Sequence, residues 1–385
     1  MGRSAVVVGG GVGGLAVAIG LRRIGWGVTV LERASALQDA GAGISLAANG
    51  LRALDALGVG AAVRQASRGQ YSGGTRTPRG GWLARLDGAA LEKAVGTPIR
   101  GIRRSALHRL LRQALPAGTL LTGSEAAAVR QTGPGTVRVD CGDTALDADL
   151  VVAADGVGSR VRGLLFPDHP GPVYSGSTVL RAVTGEPVDL PTDFELTWGH
   201  GAEFGHIAFP DGRAEWHAVL SLPAGTRFDD PLAALRRRFH HWHDPIPALL
   251  DAVPAEAVLH HDVHELRTPL PSYTAGRIAL LGDAAHAMTP HLGQGACQAL
   301  EDAVTLAASL AAGPTVDAAL VRYDAERRPR SQQVARAARQ AGRLGQQLSR
   351  PWAVALRNTA MRLAPSRATV RTVLRHHDWV PPRLG

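Results

Sequence analysis

The N-terminal residues alternate between short apolar runs and glycine-rich turns. Residues 5–8 form a β-branched run that ends in glycines, which is typical of a buried parallel strand. Residues 15–24 carry apolar side chains at helical spacing, and residues 28–31 form a second apolar run that closes on Glu32. The pattern predicts a strand, a turn, a helix and a strand within about 30 residues, as at the start of a doubly wound α/β domain.

The middle of the chain has a different periodicity. Between about residues 173 and 266, apolar and polar residues alternate in short segments separated by Gly, Pro and Asp, and most of the Trp and Phe residues lie here. This alternation predicts a mostly antiparallel sheet, interrupted by one helix at 231–242. The strands are predicted at 177–183, 194–198, 206–209 and 215–222.

Outside that region the helical and buried-strand patterns return. Helices are predicted at 51–57 and 104–115, and strands at 137–139, 150–153 and 278–281. The remainder reads as largely helical to about residue 361. Residues 327–330 (Arg-Arg-Pro-Arg) are interpreted as a solvated, partly ion-paired turn at a helix interruption.

We therefore expect an α/β protein with a Rossmann-like domain, an inserted, mostly antiparallel β-sheet domain that binds the substrate, and a C-terminal helical segment. The expected nucleotide domain is discontinuous, over 1–72, 100–165 and 273–345. The expected substrate domain covers 73–99 and 166–272, and the helical segment covers 346–385.

Composition narrows the classes of protein. The net charge is +9, but Lys93 is the only lysine and the arginines are scattered, without a basic run interleaved with aromatic residues, so nucleic-acid binding is not expected. No apolar stretch reaches the roughly 18 residues that a spanning helix needs. Cys141 and Cys297 do not make a disulfide framework, which favours a cytoplasmic location.

The first candidate site is the turn Gly9-x-Gly11-x-x-Gly14. In this context Gly9 allows the tight turn, Gly11 allows close approach of a pyrophosphate and Gly14 allows the helix to pack on the sheet. Glu32, eighteen residues after Gly14, is placed to accept ribose hydroxyls. An acid at this position favours FAD or NAD over NADP. The segment Gly41-Ala42-Gly43 lacks the third glycine, so only one such dinucleotide unit is expected.

The second candidate site is Asp283, which follows a predicted strand in Leu281-Gly282-Asp283. Pro290 and Gly293-Gln294-Gly295 come next, and a helix is predicted from about Ala296. A second helix N-terminus flanked by glycine is therefore available to a polar ligand.

Three separated motifs together resemble the single-component, group A flavoprotein monooxygenases, in particular the branch of salicylate hydroxylase, urate hydroxylase and zeaxanthin epoxidase. The motifs are Gly9-x-Gly11-x-x-Gly14 with Glu32-Arg33; Ala154-Asp155-Gly156-x-x-Ser159-x-x-Arg162; and Gly282-Asp283-Ala284-Ala285-His286 with Pro290 and Gly293-Gln294-Gly295. The similarity spans nearly the whole chain and includes Gly43, Asn49 and Arg104.

The resemblance implies a bound FAD and assigns residues to it. The first motif would hold the ADP half, Glu32 and the adjacent Arg33 would lie at its ribose, and Arg104 would contact the cofactor. Asp155 would serve both FAD and NAD(P)H, and Asp283 would bind the ribityl chain. The loop from Pro290 to Gly295, which includes Gly293 and Gln294, would pass the isoalloxazine ring. Gly43 and Ala296 are further candidate cofactor-binding residues.

The resemblance also implies a reaction, in which NADH or NADPH reduces FAD and O2 forms a C4a-hydroperoxide that hydroxylates a small aromatic or polycyclic substrate. Alternatives are epoxidation or Baeyer–Villiger insertion on an alicyclic or polyketide substrate, and a non-redox FAD-binding protein. The chain would act as a monomer or a homodimer. Candidate catalytic residues are His291, Arg181 and His206, and candidate substrate contacts are Trp198, Phe209, Trp216 and His217.

Period-2 alternation means that about half of the candidates on the strands must point away from the substrate. His291 either faces the cofactor or substrate, or is a solvent-facing loop histidine. The runs His240-His241-Trp242-His243 and His260-His261-Asp262 do not resolve into a compact ligand set, so no metal is expected. Cys297 is interpreted as a small buried residue.

Overall fold

The structure is a computed structural model, and it describes residues 2–36, 42–364 and 374–384 of the chain. Within these ranges the strands are β1 (Ser4–Val8), β2 (Gly27–Glu32), β3 (Gly43–Leu46), β4 (Arg68–Gln70), β5 (Gly73–Arg76), β6 (Trp82–Arg85), β7 (Ile99–Arg103), β8 (Leu120–Thr122), β9 (Ala126–Gly133), β10 (Thr136–Cys141), β11 (Thr144–Ala148), β12 (Leu150–Ala153), β13 (Val173–Val183), β14 (Phe194–Trp198), β15 (Ala202–Ala208), β16 (Ala214–Leu220), β17 (Leu259–Glu265), β18 (Thr274–Ala275) and β19 (Ile278–Leu280).

The α-helices of the same ranges are α1 (Val12–Arg23), α2 (Ala48–Ala56), α3 (Gly60–Gln65), α4 (Gly88–Val95), α5 (Arg104–Gln113), α6 (Arg160–Leu165), α7 (Pro231–Phe239), α8 (Ile246–Asp251), α9 (Asp283–His286), α10 (Gly295–Ala312), α11 (Val316–Leu344) and α12 (Pro351–Leu363). Two 3-10 turns lie at Ala255–Ala257 and Pro290–Leu292. No described helix is both long enough and apolar enough to cross a membrane.

A parallel sheet forms the first core, with the strand order β18-β19-β12-β1-β2-β8. β1 pairs in parallel with both β12 and β2, and only β18 runs antiparallel to its neighbour. Helix α1 packs against this sheet and α10 packs on α1, and the core that they share contains the fully buried Val7, Leu15, Val152 and Leu300. The continuous apolar strands are buried because helices cover the sheet.

A large antiparallel sheet forms the second core, with the order β17-β13-β16-β15-β14-β5-β6. Only the β14–β5 pair is parallel. One face of this sheet is covered by α7 and α8, and Phe204, Trp216 and Phe239 pack together there. We call it the helix-covered face.

The opposite face of this sheet looks toward β3 and is called here the open face. A Cβ placed on Gly43 of β3 would lie 3.0 Å from Cβ of Glu215 on β16. Since directly opposed residues of an antiparallel pair share a face, the register of Arg181 with His217, and of His217 with Gly205, puts all three on the open face.

Helix α11 joins the two cores. Its middle packs against α10, and its C-terminal end reaches the 3-10 turn at Pro290–Leu292 and the open face. Pro329 lies inside this helix, which continues through it. The interpretation of 327–330 as a solvated turn is therefore wrong. The buried pairing of Arg327 with carboxylates of α10 anchors the helix at the position where proline removes a backbone donor.

The structure confirms the fold class and the predicted β1–α1–β2 start. The helix predicted at 231–242 ends at Phe239, and the strand predicted at 206–209 is shifted to Ala202–Ala208. The strand predicted at 137–139 lies within β10, but the small sheets β3-β7-β4 and β11-β10-β9 were not predicted as sheets, because several of their strands alternate only weakly. In the expected 346–385 helical segment, α12 is followed by a tail whose described part begins at residue 374.

β5 and β6, from the expected 73–99 segment, belong to the large antiparallel sheet together with strands of the 166–272 segment. This placement supports the division into 1–72, 100–165 and 273–345 on the cofactor side and 73–99 and 166–272 on the substrate side. We retain that division as a proposal.

Candidate functional site

The glycine turn after β1 is fixed by close backbone contacts. Gly9 has φ +107°, and a Cβ there would overlap the carbonyl oxygen of Ala154. A Cβ on Gly14 would overlap the carbonyl oxygen of Gly9, so the first turn of α1 can pack on the loop only without a side chain. Both positions therefore require glycine for the turn to form.

Gly11 differs from these two, because no described atom lies within 4 Å of where its Cβ would be. It is the N-cap of α1 in an extended conformation, so the free N–H groups of the first turn point toward open space. Gly295, the first residue of α10, has the same free space around its Cβ position. The two helix N-termini are suited to anionic and polar ligand groups.

Glu32 lies at the end of β2 beside the glycine turn. Its carboxylate accepts hydrogen bonds from the backbone N–H of Gly10 at 2.8 Å and of Ala34 at 2.9 Å. These bonds hold the carboxylate against the loop, next to the helix N-terminus. Arg33 is exposed beside it.

Asp155 lies two residues after the end of β12. Its Oδ2 accepts from the Val161 N–H at 3.3 Å, whereas its buried Oδ1 has no hydrogen-bond partner among the described residues. Arg162 of the same motif is buried and donates to the carbonyl oxygens of Val157 at 2.7 Å and Ala284 at 3.2 Å. The second and third sequence motifs are thus joined by one guanidinium.

Asp283 begins α9 after β19, and its side chain remains exposed. Although solvent reaches this side chain, the surrounding protein removes part of the water around the carboxylate and raises its pKa. The electrostatic effects of His286 and Arg104 act in the opposite direction. Arg104 starts α5, where its N–H donates to the carbonyl oxygen of Ala42 at 2.8 Å. The third motif and Arg104, which are 179 residues apart in sequence, therefore influence each other electrostatically.

A buried polar network supports the Asp283 turn and the loop that follows it. Asp302 accepts from the Gly282 N–H at 2.9 Å, lies 2.6 Å from His286 Nε2 and accepts from Arg327 Nε at 2.7 Å. Burial would raise the pKa of Asp302, but its interactions with His286 and Arg327 outweigh burial and lower that pKa to about 2.

The same network continues to the Gly293-Gln294-Gly295 loop. Asn49 of α2 donates to Gln294 at 2.9 Å and to Glu301 at 2.7 Å. Glu301 is also paired with Arg327 and, at 2.7 Å, with Arg330. Sequence reasoning missed Gln298, Glu301, Asp302 and Arg327, because polar residues on a helix give no signal that they will be fully buried.

Gly43 and Phe209 lie where the two cores approach. A Cβ on Gly43 would be 3.3 Å from the Phe209 ring, and the guanidinium carbon of Arg103 lies 5.5 Å from the centre of that ring. Phe209 is fully buried. It therefore lines the junction between the cores and is not free to contact a substrate in this arrangement.

The open face carries a charged cluster opposite the cofactor side. His217 Nδ1 lies 3.2 Å from Glu215 Oε2, and Trp198 Nε1 donates to Glu203 at 2.5 Å. Arg181 is directly across from His217 in the sheet, and its Nε has no partner among the described residues. Sequence reasoning selected Arg181, His217 and Trp198 but missed Glu203 and Glu215, since alternation does not reveal which face is open.

Two sequence candidates need correction in addition to Phe209. Trp216 and His206 are directly paired with each other and lie on the helix-covered face, away from the cofactor side. Trp216 is fully buried against Phe204, and His206 lies against Thr192, with burial lowering its pKa to about 4. We therefore no longer propose either residue at the site.

His291 is not a solvent-facing loop histidine. Both ring nitrogens are buried and have no hydrogen-bond partner among the described residues, and a Cβ on Gly342 of α11 would lie 2.5 Å from the ring. The imidazole is thus packed between the Pro290–Leu292 turn and α11. It remains a candidate site residue.

The other histidine and cysteine candidates do not assemble into a ligand set. His240 and His241 stack on each other at an exposed helix end, and His261 and His264 are exposed on β17. Among the described residues no group of three or more His, Cys, Asp or Glu side chains could hold a metal ion. Burial raises the pKa of Cys297 to about 12, so its thiol is inert. Gly41 lies outside the described residues.

The residues present fit FAD. Gly11 and Gly295 leave free space at two helix N-termini, Asp155 offers a buried oxygen that still needs a donor, and Asp283 is an accessible carboxylate between them. A dinucleotide supplies phosphates for the first N-terminus and hydroxyl donors for carboxylates.

Comparison with known proteins points the same way. Residues 3–338 match the family model described as the FAD binding domain. The chain is 37% identical over 348 residues to the aurachin C monooxygenase/isomerase of Stigmatella aurantiaca, covering 90% of each chain. It is also 37% identical to a 3-amino-4-hydroxybenzoate 2-monooxygenase of Streptomyces platensis, covering 87% of each. The crystal structure of Klebsiella pneumoniae HpxO with FAD and uric acid superposes with a TM-score of 0.91 at 26% identity, over 100% of this chain and 98% of that one.

Proposed function

The chain belongs to the FAD-binding-domain family of group A flavoprotein monooxygenases, and from that premise we propose that it hydroxylates a small aromatic substrate with NADH or NADPH and O2. The substrate would lie between the Pro290–Gly295 loop and the open face of the large antiparallel sheet. The observation that carries the proposal is the polar cluster of the open face, which points toward the same side as Asp283 and Arg104.

Bound FAD supplies the redox chemistry, by accepting a hydride and activating O2. The chain would hold its phosphates on the first turn of α1 and its ribose hydroxyls with Glu32. Asp155 and Asp283 would accept hydrogen bonds from the middle of the cofactor, and α10 would present its N-terminus to the polar edge of the ring. We propose the same role for Gln294, Gly295 and Ala296, which the buried network holds in place.

The chain's own residues would also orient the substrate. Arg181 would attract an anionic or ionising group, and Trp198, held by Glu203, would bound the aromatic ring. His291 and the end of α11 would close the opposite side and exclude water. Only one dinucleotide unit is recognisable in the sequence, so NADH or NADPH would dock transiently.

The test is a panel of hydroxylated and amino-substituted aromatic compounds, scored for stimulated NADH and NADPH oxidation by protein purified with its flavin. Under 18O2 the expected product has gained one labelled oxygen atom. Asp283→Ala should lose flavin retention and turnover, whereas Asp143→Ala, an exposed carboxylate in the β10–β11 hairpin, should leave both unchanged.

Product analysis separates the alternatives. An epoxide as the product would indicate epoxidation in place of aromatic hydroxylation, and a ring-expanded lactone would indicate Baeyer–Villiger insertion. Consumption of NAD(P)H that no aromatic compound stimulates, with all O2 recovered as hydrogen peroxide, would overturn the proposal.

A further inference from the structure

One imidazole on the open face is held by carboxylates and still reaches solvent. His217 lies on β16, with Nδ1 3.2 Å from Glu215 Oε2 and Nε2 3.9 Å from Glu203 Oε1. The side chain of His217 is 19% exposed, whereas those of Glu215 and Glu203 are 3% and 6% exposed. The carboxylates are therefore inside the protein, and the imidazole is the most accessible part of this cluster.

A glycine in the neighbouring strand provides the space for this ring. A Cβ on Gly205 of β15 would lie 2.5 Å from His217 Nε2 and 2.7 Å from Leu196. Glycine in the interior of a strand weakens it and often marks a position where another group approaches closely. Here the approaching group is the imidazole of His217, so this position of the ring requires glycine at residue 205.

The contacts also fix which nitrogen is reactive. Glu215 is within hydrogen-bond distance of Nδ1, which assigns the proton of the neutral ring to Nδ1. Glu203 Oε1 lies 3.9 Å from Nε2, which is too far for a hydrogen bond, and Trp198 donates to the other oxygen of that carboxylate. Nε2 is left with its lone pair free, in a ring whose orientation is set by a carboxylate.

We propose that His217 is the catalytic base of the reaction, and that the substrates are aromatic compounds with an acidic ring hydroxyl or ring N–H. The inference rests on the proposed function. The substrate O–H or N–H bond breaks, its electron pair stays on the substrate, and the proton forms a bond to Nε2. The resulting imidazolium is balanced by Glu215, and the resulting substrate anion lies beside Arg181. An ionised ring is more electron-rich and accepts an electrophilic oxygen more readily.

The charges that face His217 come from three strands. Burial disfavours the imidazolium, but Glu215 on the same strand and Glu203 on β15 outweigh it, with Arg181 on β13 opposing them. The pKa of His217 is therefore raised above its ordinary value. A higher pKa makes the neutral imidazole a stronger base, and it brings the pKa of His217 closer to that of a phenol, which favours proton transfer.

The decisive experiment compares the pH dependence of product formation in wild type, His217→Gln and Glu215→Gln. Wild-type activity should fall as pH drops through the raised pKa, because the protonated ring cannot accept a proton. Glu215→Gln should move that fall to lower pH, since a charge that stabilises the imidazolium is gone. His217→Gln should lose roughly 100-fold or more of the product rate at neutral pH and recover as pH approaches the substrate's own pKa.

The controls separate catalysis from folding. His264→Gln, an exposed position of the same sheet, should behave as wild type. His217→Gln and Glu215→Gln should retain stoichiometric flavin and substrate-stimulated NAD(P)H oxidation, with the electrons released as hydrogen peroxide. Wild type given an O-methylated substrate should form product as slowly as His217→Gln does with the parent compound.

Two results have distinct meanings. If wild type oxygenates an aromatic substrate but His217→Gln keeps its rate and pH profile, the assignment of the base is wrong and the proposed function stands. If wild type oxygenates no aromatic compound, the proposed function fails and the assignment fails with it.

Discussion

Adding one methyl group at Gly11 separates cofactor binding from folding. Gly11 has φ −72° and ψ −178°, which alanine adopts readily, and no described atom lies within 4 Å of the new Cβ. Alanine is a poorer N-cap than glycine by roughly 0.5–1 kcal/mol. The reduced freedom of the unfolded chain offsets about 0.4–1 kcal/mol of this. The free energy of unfolding of the Gly11→Ala apoprotein should thus stay within about 1 kcal/mol of wild type.

The FAD affinity of Gly11→Ala should fall, because the methyl occupies the space over the first turn of α1. Losing one charge-assisted hydrogen bond to a phosphate costs about 1.5–3 kcal/mol, which is roughly a 10- to 150-fold rise in Kd. Gly14→Ala should instead destabilise the apoprotein by about 1–3 kcal/mol or more, because its Cβ overlaps the Gly9 carbonyl.

The assay is titration of apoprotein with FAD by flavin fluorescence, with urea denaturation of the same samples. Gly163→Ala in α6, also with no described atom near its Cβ position, is the matched control and should bind FAD as wild type does. A folded Gly11→Ala protein whose Kd for FAD rises less than about threefold would refute the reasoning.

Three further predictions concern the two cores. Arg327→Met should lower the free energy of unfolding by about 3–5 kcal/mol, because Asp302 and Glu301 stay buried without their partner. Urea denaturation measures this loss, and the control Arg322→Met, at an exposed position, should lose less than about 0.5 kcal/mol. A loss below about 1 kcal/mol for Arg327→Met would contradict the prediction. His206 has a pKa of about 4 in the folded protein and about 6.5 in the unfolded chain. Between these two values the unfolded chain binds more protons than the folded protein. The free energy of unfolding of wild type should therefore fall by up to about 3 kcal/mol as the pH drops from 6.5 to 4. In His206→Gln this part of the pH dependence should be absent in denaturation curves at pH 7, 5.5 and 4.5, and an unchanged slope would show that other groups cause it. Trp216→Phe should lower the free energy of unfolding by about 1–3 kcal/mol and leave the substrate KM unchanged. Trp198→Phe should change KM, because Glu203 loses its hydrogen-bond donor. Equal KM values for the two variants in steady-state kinetics would contradict the placement of the two rings on opposite faces of the sheet.

The cofactor side was predictable because its signals are local. The turn at Gly9–Gly14, the acid at Glu32 and the aspartate at Asp283 each follow an apolar run, and the carboxyl ends of parallel strands meet at one edge of a sheet. The positions of these residues at the ends of parallel strands therefore follow from the sequence pattern, and their contacts with FAD stay a prediction.

The substrate side was only partly predictable, because period-2 alternation divides a strand into two faces without saying which is covered. Trp216 and His217 are neighbours in sequence, yet one packs under α7 and α8 and the other faces β3. Their aromatic character gave no way to choose. The covering helices α7 and α8 come later in the chain, and only their packing decides the faces.

The arginine of the buried network could not be foreseen for a related reason. Arg327 stands in a run with Pro329, which suggests an exposed turn, whereas its carboxylate partners are more than twenty residues earlier on α10. A buried charge is recognisable only with its partner in place.

The C-terminal end of α11 has a consequence for how this scaffold can be tuned. A helix rises about 1.5 Å per residue, so Gly345 lies roughly 27 Å along the axis from Arg327, which is anchored in the network. A Cβ at Gly345 would lie 3.0 Å from Trp198, and one at Gly342 would lie 2.5 Å from His291. These two glycines therefore allow the C-terminal end of α11 to lie close to both the Pro290–Leu292 turn and the open face of the sheet. An alanine at either position would press on His291 or Trp198 and so change the space beside the substrate, without replacing a residue that is proposed to contact it.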